Sequence, residues 1–159
     1  MAIPGPKRNS KAPARPSKAP PKAPSKAPPR ASKSPPKRQI MVVDDDASIR
    51  DLIRKSLMGS YEVREAKDGL AAAEVLGQNP LPELLILDLM MPQVDGFTLA
   101  AMMKNDARLK RIPILFLSAR DKPDDFKRAM TLGAKHYLTK PFSVKELRAL
   151  VEKIVRVSA

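Results

Sequence analysis

The stretch Ile40–Asp46, IMVVDDD, decides which fold the rest of the chain can adopt. Four consecutive apolar residues are typical of a short strand that is buried on both faces of a parallel sheet. The three carboxylates of Asp44–Asp46 follow this strand directly. Because like charges at such close spacing repel each other, the sequence predicts a positively charged partner at the end of this strand.

The residues that follow alternate between helix and strand patterns. Ile49, Leu52, Ile53, Ser56 and Leu57 lie at the spacing of one helix face and predict a first helix, which Gly59 ends. The patterns then predict strands over 61–66, 84–87, 112–117 and 135–139, and helices over 68–76, 97–105, 123–132 and 143–157. Five such units with short connections predict a doubly wound α/β fold, in which helices cover both faces of a parallel sheet.

Polar residues follow the first, third, fourth and fifth predicted strands. Asp44–Asp46 end the first strand, Asp88 the third, Ser118 the fourth and Lys140 the fifth. The binding crevice of such a sheet lies outside the carboxyl ends of its strands, so we expect these side chains to converge. One aspartate alone would be explained as a helix cap, whereas the whole set predicts a functional site.

The chemistry that this set suits is phosphoryl transfer. Clustered carboxylates become tolerable when a divalent cation lies among them, and a few oxygen ligands suit Mg²⁺. A carboxylate can also act as a nucleophile toward phosphorus and form an aspartyl-phosphate. A metal and an ammonium group would then neutralise charge on the transferred group.

Residues 1–38 have a different composition from the rest of the chain. They hold 11 of the 17 prolines and 11 of the 30 Lys and Arg residues but no acid, so the remainder carries 19 bases and 17 acids. Ser-Lys-Ala-Pro recurs from Ser10, Ser17 and Ser25. Such a segment has too little apolar surface to offset its ordering entropy. We therefore predict a disordered or polyproline II-like tail over 1–38 and a folded domain over 39–159.

Three roles remain open for this tail. It could bind nucleic acid or another polyanion without sequence preference through counterion release, serve as a soluble spacer, or dock on a specific partner. It contains no aromatic residue for base stacking, which argues against recognition of a single-stranded sequence.

Composition excludes several classes of protein. The absence of cysteine excludes disulfides and thiol catalysis, and a single histidine, His136, excludes sites that need two. No apolar run approaches the roughly 18 residues of a spanning helix, and no secretory signal is recognisable, so we expect no membrane insertion. We expect a cytoplasmic protein, associated with the nucleoid if the tail binds nucleic acid.

Over about residues 38–157 the chain resembles the receiver domain of two-component response regulators, in particular stand-alone receivers of the chemotaxis-regulator kind. The resemblance implies a flavodoxin-like (βα)5 fold with a five-stranded parallel sheet in strand order 2-1-3-4-5. The segments that match in order and spacing are IMVVDDD with Ile49-Arg50, YEVREAKDG, LLILDLMMPQVDGF, ILFLSA and GAKHYLTKPF.

The resemblance also implies which residues bind the metal and accept the phosphoryl group. Asp88 matches the phosphoacceptor. Asp44 and Asp45 match the acidic pair, with Asp45 as a direct ligand of Mg²⁺ and Asp44 as a mainly water-mediated one. Asp88 itself and the backbone carbonyl of Met90 would complete the protein ligands. Asp46 is instead expected to favour the start of the first helix without contacting the metal.

Three further residues match the family's switch. Ser118 corresponds to the hydroxyl that moves toward the phosphoryl group, and Lys140 to the lysine that pairs with a phosphoryl oxygen, with a cis bond to Pro141. Tyr137 corresponds to the aromatic residue whose rotamer follows Ser118, although it could simply fill a half-buried strand position. Lys135 and His136 stand where the family often has acids, which leaves the identity of the partner open.

Together these features predict a single-domain response regulator, since the sequence ends directly after the last predicted helix. A histidine kinase would donate the phosphoryl group to Asp88, and a downstream target or phosphotransfer protein would read the change. We expect a monomer or weak dimer that catalyses only its own phosphorylation and dephosphorylation. The alternatives are a phosphorylation-independent polyanion binder and a haloacid dehalogenase-like phosphohydrolase, in which Asp44 would be the nucleophile.

Overall fold

A computed structural model describes residues 35–119 and 123–158 of the chain. Most of the predicted tail, residues 1–34, lies outside the described residues. The strands are β1 (Arg38–Val43), β2 (Tyr61–Ala66), β3 (Leu84–Asp88), β4 (Ile114–Ser118) and β5 (Ala134–Thr139). The helices are α1 (Ala47–Leu57), α2 (Gly69–Leu76), α3 (Gly96–Lys104), α4 (Pro123–Thr131) and α5 (Val144–Ser158), and a 3-10 turn covers Leu109–Arg111.

All five strands are parallel and lie in the order β2-β1-β3-β4-β5, which confirms the predicted topology. Val43 of β1 pairs with Leu87 of β3, and Asp88 pairs with Leu117 of β4. The three central strands therefore end at nearly the same level. The strand order reverses beside β1 and β3, where a doubly wound sheet forms its crevice.

The apolar runs of β1 and β3 are buried on both faces of the sheet because successive side chains point to opposite sides. Met41 and Leu85 belong to the apolar layer that includes α2 and α3. Ile40 and Leu84 belong to the opposite layer, which includes α1 and α5. All four of these side chains are fully buried. The two layers fix β1 and β3 in place, so the residues that follow them start from a rigid support.

The first three helices begin at an aspartate cap. Asp46 accepts a hydrogen bond from the Ser48 amide at 2.8 Å, which confirms its expected place at the start of α1. Asp68 and Asp95 cap α2 and α3 in the same way. Carboxylates at these positions satisfy otherwise unpaired amides of the first turn.

Two strands begin two residues away from their predicted starts, and the other strand boundaries lie within one residue of the prediction. β1 begins at Arg38, before the apolar run, because Arg38 pairs with Tyr61 of β2. β4 begins at Ile114 rather than at Ile112, because the preceding 3-10 turn continues into a hydrogen bond of 3.0 Å from the Ile112 amide to the Leu109 carbonyl. The sequence patterns gave no indication of this turn.

Among the helices of the described residues, none combines the length and the apolar character that crossing a bilayer requires.

Candidate functional site

Three carboxylates converge at the carboxyl edge of the sheet. Asp44 follows β1 and is fully buried, Asp45 is exposed, and Asp88 ends β3 with 3% of its surface exposed. One carboxylate oxygen from each residue lies within 4.8 Å of the others. Hard oxygen donors grouped in this way fit a divalent cation of the Mg²⁺ type.

Lys140 provides the positive charge that the sequence of β1 predicts. Its Nζ atom lies 2.8 Å from Asp44 Oδ2 and 3.5 Å from Asp88 Oδ1, and 18% of its side chain is exposed. Burial lowers the pKa of Lys140, but the hydrogen bond to Asp44 and the charge of Asp88 more than compensate, so the pKa is raised overall. The ammonium group therefore stays charged between the two carboxylates.

A single lysine does not balance the negative charge of the site. Burial and, next, the charge of Asp44 raise the pKa of Asp88 from 3.8 to about 7, although Lys140 and the Met90 amide act in the opposite direction. This residual excess of negative charge is a second reason why the residues fit a bound cation, which would favour the ionised form of Asp88.

The carboxylate of Asp44 is held by the chain on both of its oxygens. Oδ1 accepts a hydrogen bond from the Asp46 amide at 2.9 Å, and Oδ2 accepts one from Lys140 at 2.8 Å. The backbone carbonyl of Asp44 accepts a further bond of 2.7 Å from Arg50 Nη1. This arrangement is compatible with the indirect metal contact that the family resemblance implies for Asp44. Arg50 was not singled out from the sequence as a site residue.

Ser118 and Tyr137 lie on neighbouring strands but in different surroundings. Ser118 ends β4 with 1% exposure, and its carbonyl accepts a hydrogen bond of 2.7 Å from the Lys140 amide. Tyr137 is half-buried two residues before the end of β5, and its ring meets that of Phe126 edge to face at 5.7 Å. Ser118 thus joins the carboxylates at the sheet edge, whereas Tyr137 connects β5 to α4.

The remaining predicted residues lie next to this group. The Met90 amide donates to Asp88 Oδ1 at 3.4 Å, and half of the Met90 surface is exposed. The Lys140–Pro141 peptide bond is cis. His136 is half-buried on β5, and burial followed by the charge of Lys153 lowers its pKa, so that it is neutral at pH 7.

Gly96 supports the site in a way that its sequence context did not reveal. The sequence indicated only a turn at Asp95-Gly96, but a Cβ atom at Gly96 would lie 2.4 Å from the carbonyl oxygen of Asp88 and 2.9 Å from the Cα of Leu89. The Gly96 amide donates to the Leu89 carbonyl at 3.1 Å. The start of α3 therefore packs directly on the backbone of the central aspartate, and only glycine fits there.

We expect Gly96→Ala to destabilise the fold by at least about 2 kcal/mol, because the added methyl group meets backbone that cannot move without displacing Asp88. Urea unfolding followed by circular dichroism measures the change. Gly59→Ala is the matched control, since a Cβ atom there would meet no atom within 4 Å. Its effect should stay within about 0.5 kcal/mol. Equal stabilities of the two variants would contradict the close packing at Gly96.

Comparisons with known proteins place these features in a family. The family described as the response regulator receiver domain matches residues 40–152. Among curated relatives, the DNA-binding dual master transcriptional regulator RpaA of Synechocystis sp. is 40% identical over 119 residues, which are 74% of this chain and 49% of the relative. The phosphate regulon transcriptional regulatory protein PhoB of Pseudomonas aeruginosa is 38% identical over 120 residues, 75% of this chain and 52% of the relative. The chain thus spans about half the length of these relatives.

Two solved structures show the same similarity along nearly their full length. A putative response regulator from Chloroflexus aurantiacus superposes with a TM-score of 0.71 at 34% identity, over 76% of this chain and 98% of that chain. The chemotaxis protein CheY4 of Vibrio cholerae superposes with a TM-score of 0.70 at 28% identity, over 74% of this chain and 98% of that chain.

Proposed function

Because the chain belongs to the response regulator receiver domain family, we propose that it is a two-component signalling switch in which Asp88 accepts a phosphoryl group from a histidine kinase. The observation that carries this proposal is the grouping of Asp44, Asp45 and Asp88 within 4.8 Å, with Lys140 beside two of them. A structural helix cap requires neither the burial of Asp44 and Asp88 nor the largely buried ammonium group beside them.

The proposed reaction is a transfer from phosphohistidine to a carboxylate. An oxygen of ionised Asp88 attacks phosphorus, the P–N bond of the donor breaks, and an acyl phosphate forms. Lys140 pairs with an oxygen of the transferred group and neutralises part of its charge. Mg²⁺ held by Asp45, Asp88 and the Met90 carbonyl, with Asp44 contributing through water, would supply the remaining positive charge.

The proposed switch begins at Ser118. The charge of the phosphorylated aspartate attracts the Ser118 hydroxyl as a hydrogen-bond donor, and the movement leaves space into which Tyr137 turns. Tyr137 contacts Phe126 of α4, so its change of rotamer would alter the packing of α4 against β5. The population of the active conformation then rises, and the surface formed by α4, β5 and α5 changes its affinity for a downstream protein.

Mapping the phosphorylated residue tests this proposal. The chain is incubated with a small-molecule phosphodonor and Mg²⁺, and the labelled peptide is identified by mass spectrometry. Label on Asp88 is expected. Label on Asp44 would support the phosphohydrolase alternative instead, and a chain without label would support phosphorylation-independent polyanion binding.

A second proposed function is polyanion binding by the tail, which rests on the 11 bases and no acid of residues 1–38. Removal of residues 1–36 is expected to weaken binding to duplex DNA and to reduce its salt dependence, because released counterions supply most of such binding. A fluorescence anisotropy titration over a salt series measures both quantities. An unchanged affinity would leave the tail as a spacer.

The truncated chain of residues 37–159 is suitable for this comparison. It keeps β1, which begins at Arg38, and the hydrogen bond of 2.9 Å from Lys37 Nζ to the Met58 carbonyl. Both apolar layers of the sheet lie within it. The solved C. aurantiacus chain, which this region covers over 98% of its length, has the same fold.

A further inference from the structure

Basic side chains gather at the edge of the sheet opposite the carboxylates. We call this surface the basic edge, and it consists of Arg38, Lys104, Arg108, Lys110 and Arg111, all of which are exposed. Two clefts connect its members. One of about 640 Å³ is lined by Lys104, Lys110 and Arg111, and another of about 530 Å³ by Arg38, Arg108 and Arg111. Because both clefts include Arg111, the five cations form one continuous surface.

Part of the basic edge has a structural explanation. Arg38 donates to the Val155 carbonyl near the end of α5 at 3.0 Å and lies 3.5 Å from Glu83. Lys104 donates to the Thr131 carbonyl at the end of α4 at 3.0 Å. Cations at helix carboxyl ends are favoured by the helix dipole. These two residues would be expected there without any ligand.

The three cations around the 3-10 turn lack such an explanation. Arg108 forms one long ion pair, of 4.0 Å, with Asp106, whereas within residues 35–119 and 123–158 no carboxylate forms an ion pair with Lys110 or Arg111. Three like charges within four residues repel each other, and the single carboxylate of Asp106 offsets only part of this cost. The two exposed cations without an ion pair, Lys110 and Arg111, therefore favour an anionic ligand at this turn.

The position of the basic edge favours a large polyanion. Residues 1–38, with 11 bases and no acid, run directly into β1 at Arg38, which belongs to this surface. The carboxylates of the phosphorylation site follow the other end of β1. From Arg38 to Val43 this strand is about 17 Å long at the usual rise per residue. A polyanion bound at the basic edge would therefore avoid the acidic site.

We propose that the basic edge binds the phosphate backbone of duplex DNA. Arginine and lysine pair with phosphate oxygens by charge, and arginine can do so through two hydrogen bonds. None of the five residues is aromatic, so the surface offers no stacking platform for the exposed bases of a single strand. The contact lies in the folded domain and does not depend on the proposed role of the tail. It leaves Asp88 accessible to a kinase while the chain is bound.

The test compares two triple variants of the full chain. Arg108→Gln, Lys110→Gln and Arg111→Gln remove three charges from the basic edge. Lys67→Gln, Lys127→Gln and Lys145→Gln remove the same charge from exposed positions elsewhere in the folded domain. Affinity for a short duplex of mixed sequence is measured over a salt series, and circular dichroism checks that both variants are folded.

The basic-edge variant is expected to bind about tenfold more weakly and to lose about 2 to 3 from the slope of log affinity against log salt, while the control stays near the wild type. Equal losses in the two variants would overturn the proposal, because only net charge would then matter.

The same two triple variants in the chain of residues 37–159 separate DNA binding by the basic edge from DNA binding by the tail. A difference that persists there supports the basic edge even if the tail proves to be a spacer, and no difference in either background overturns it.

Discussion

Asp88→Asn is expected to abolish phosphoryl incorporation from a small phosphodonor in the presence of Mg²⁺. The amide has nearly the shape of the carboxylate but lacks the nucleophilic oxygen, so the acyl phosphate cannot form. Lys140 keeps its 2.8 Å contact with Asp44, so the substitution leaves the rest of the site in place. Intact-mass spectrometry of the wild type and the variant after equal incubation measures the loss.

Asp46→Asn is the matched control for this experiment. It also replaces a carboxylate after β1, but Asp46 is exposed, caps α1 and lies outside the group of converging oxygens. Asparagine is as good a cap as aspartate, so phosphorylation should stay near the wild-type level. A phosphorylated Asp88→Asn variant, or equal loss in both variants, would contradict the assignment of Asp88 as the acceptor.

The convergence of the site could be predicted from the sequence because a parallel sheet brings the carboxyl ends of its strands to one edge. Once Ile40–Val43 and Leu84–Leu87 are identified as buried strands, Asp44 and Asp88 must follow them at the same level. The same reasoning places Lys140 there. Periodicity and topology determine these positions without any knowledge of side-chain packing.

Contacts that depend on packing could not be predicted in this way. The bond from Arg50 to the Asp44 carbonyl requires the actual orientation of α1 over β1, and the close approach of Gly96 to Asp88 requires the actual path of the loop before α3. Helical spacing also placed Leu52 on the buried face of α1, but 40% of it is exposed, since only part of that face is covered. These features depend on distances between elements that spacing along the chain does not encode.

Asp88→Asn is also expected to stabilise the fold, by about 2–4 kcal/mol at pH 8 in a buffer with a metal chelator. The folded chain holds the pKa of Asp88 at about 7, whereas the ordinary value of 3.8 applies in the unfolded chain. Between these values the folded state binds a proton that the unfolded state does not, so the contribution of Asp88 to stability falls as the pH rises from 4 to 7. Each pKa unit corresponds to about 1.4 kcal/mol. A neutral amide removes this penalty.

Denaturant unfolding of the wild type and of Asp88→Asn from pH 4.5 to pH 8 isolates the contribution of Asp88 to stability. Groups with lowered pKa values, such as Asp51 and Asp106, are the same in both proteins and cancel in the difference. The gain of the variant over the wild type should be smallest at pH 4.5 and should increase as the pH rises to 8. Asp46→Asn serves again as the control variant, because Asp46 lies outside the group of converging oxygens. Added Mg²⁺ should narrow the gap by stabilising the wild type more than the variant, since a ligand stabilises the state that binds it. A gap that is constant with pH would mean that Asp88 is not held in an environment that opposes its charge, and the electrostatic argument for a cation at this sheet edge would be lost.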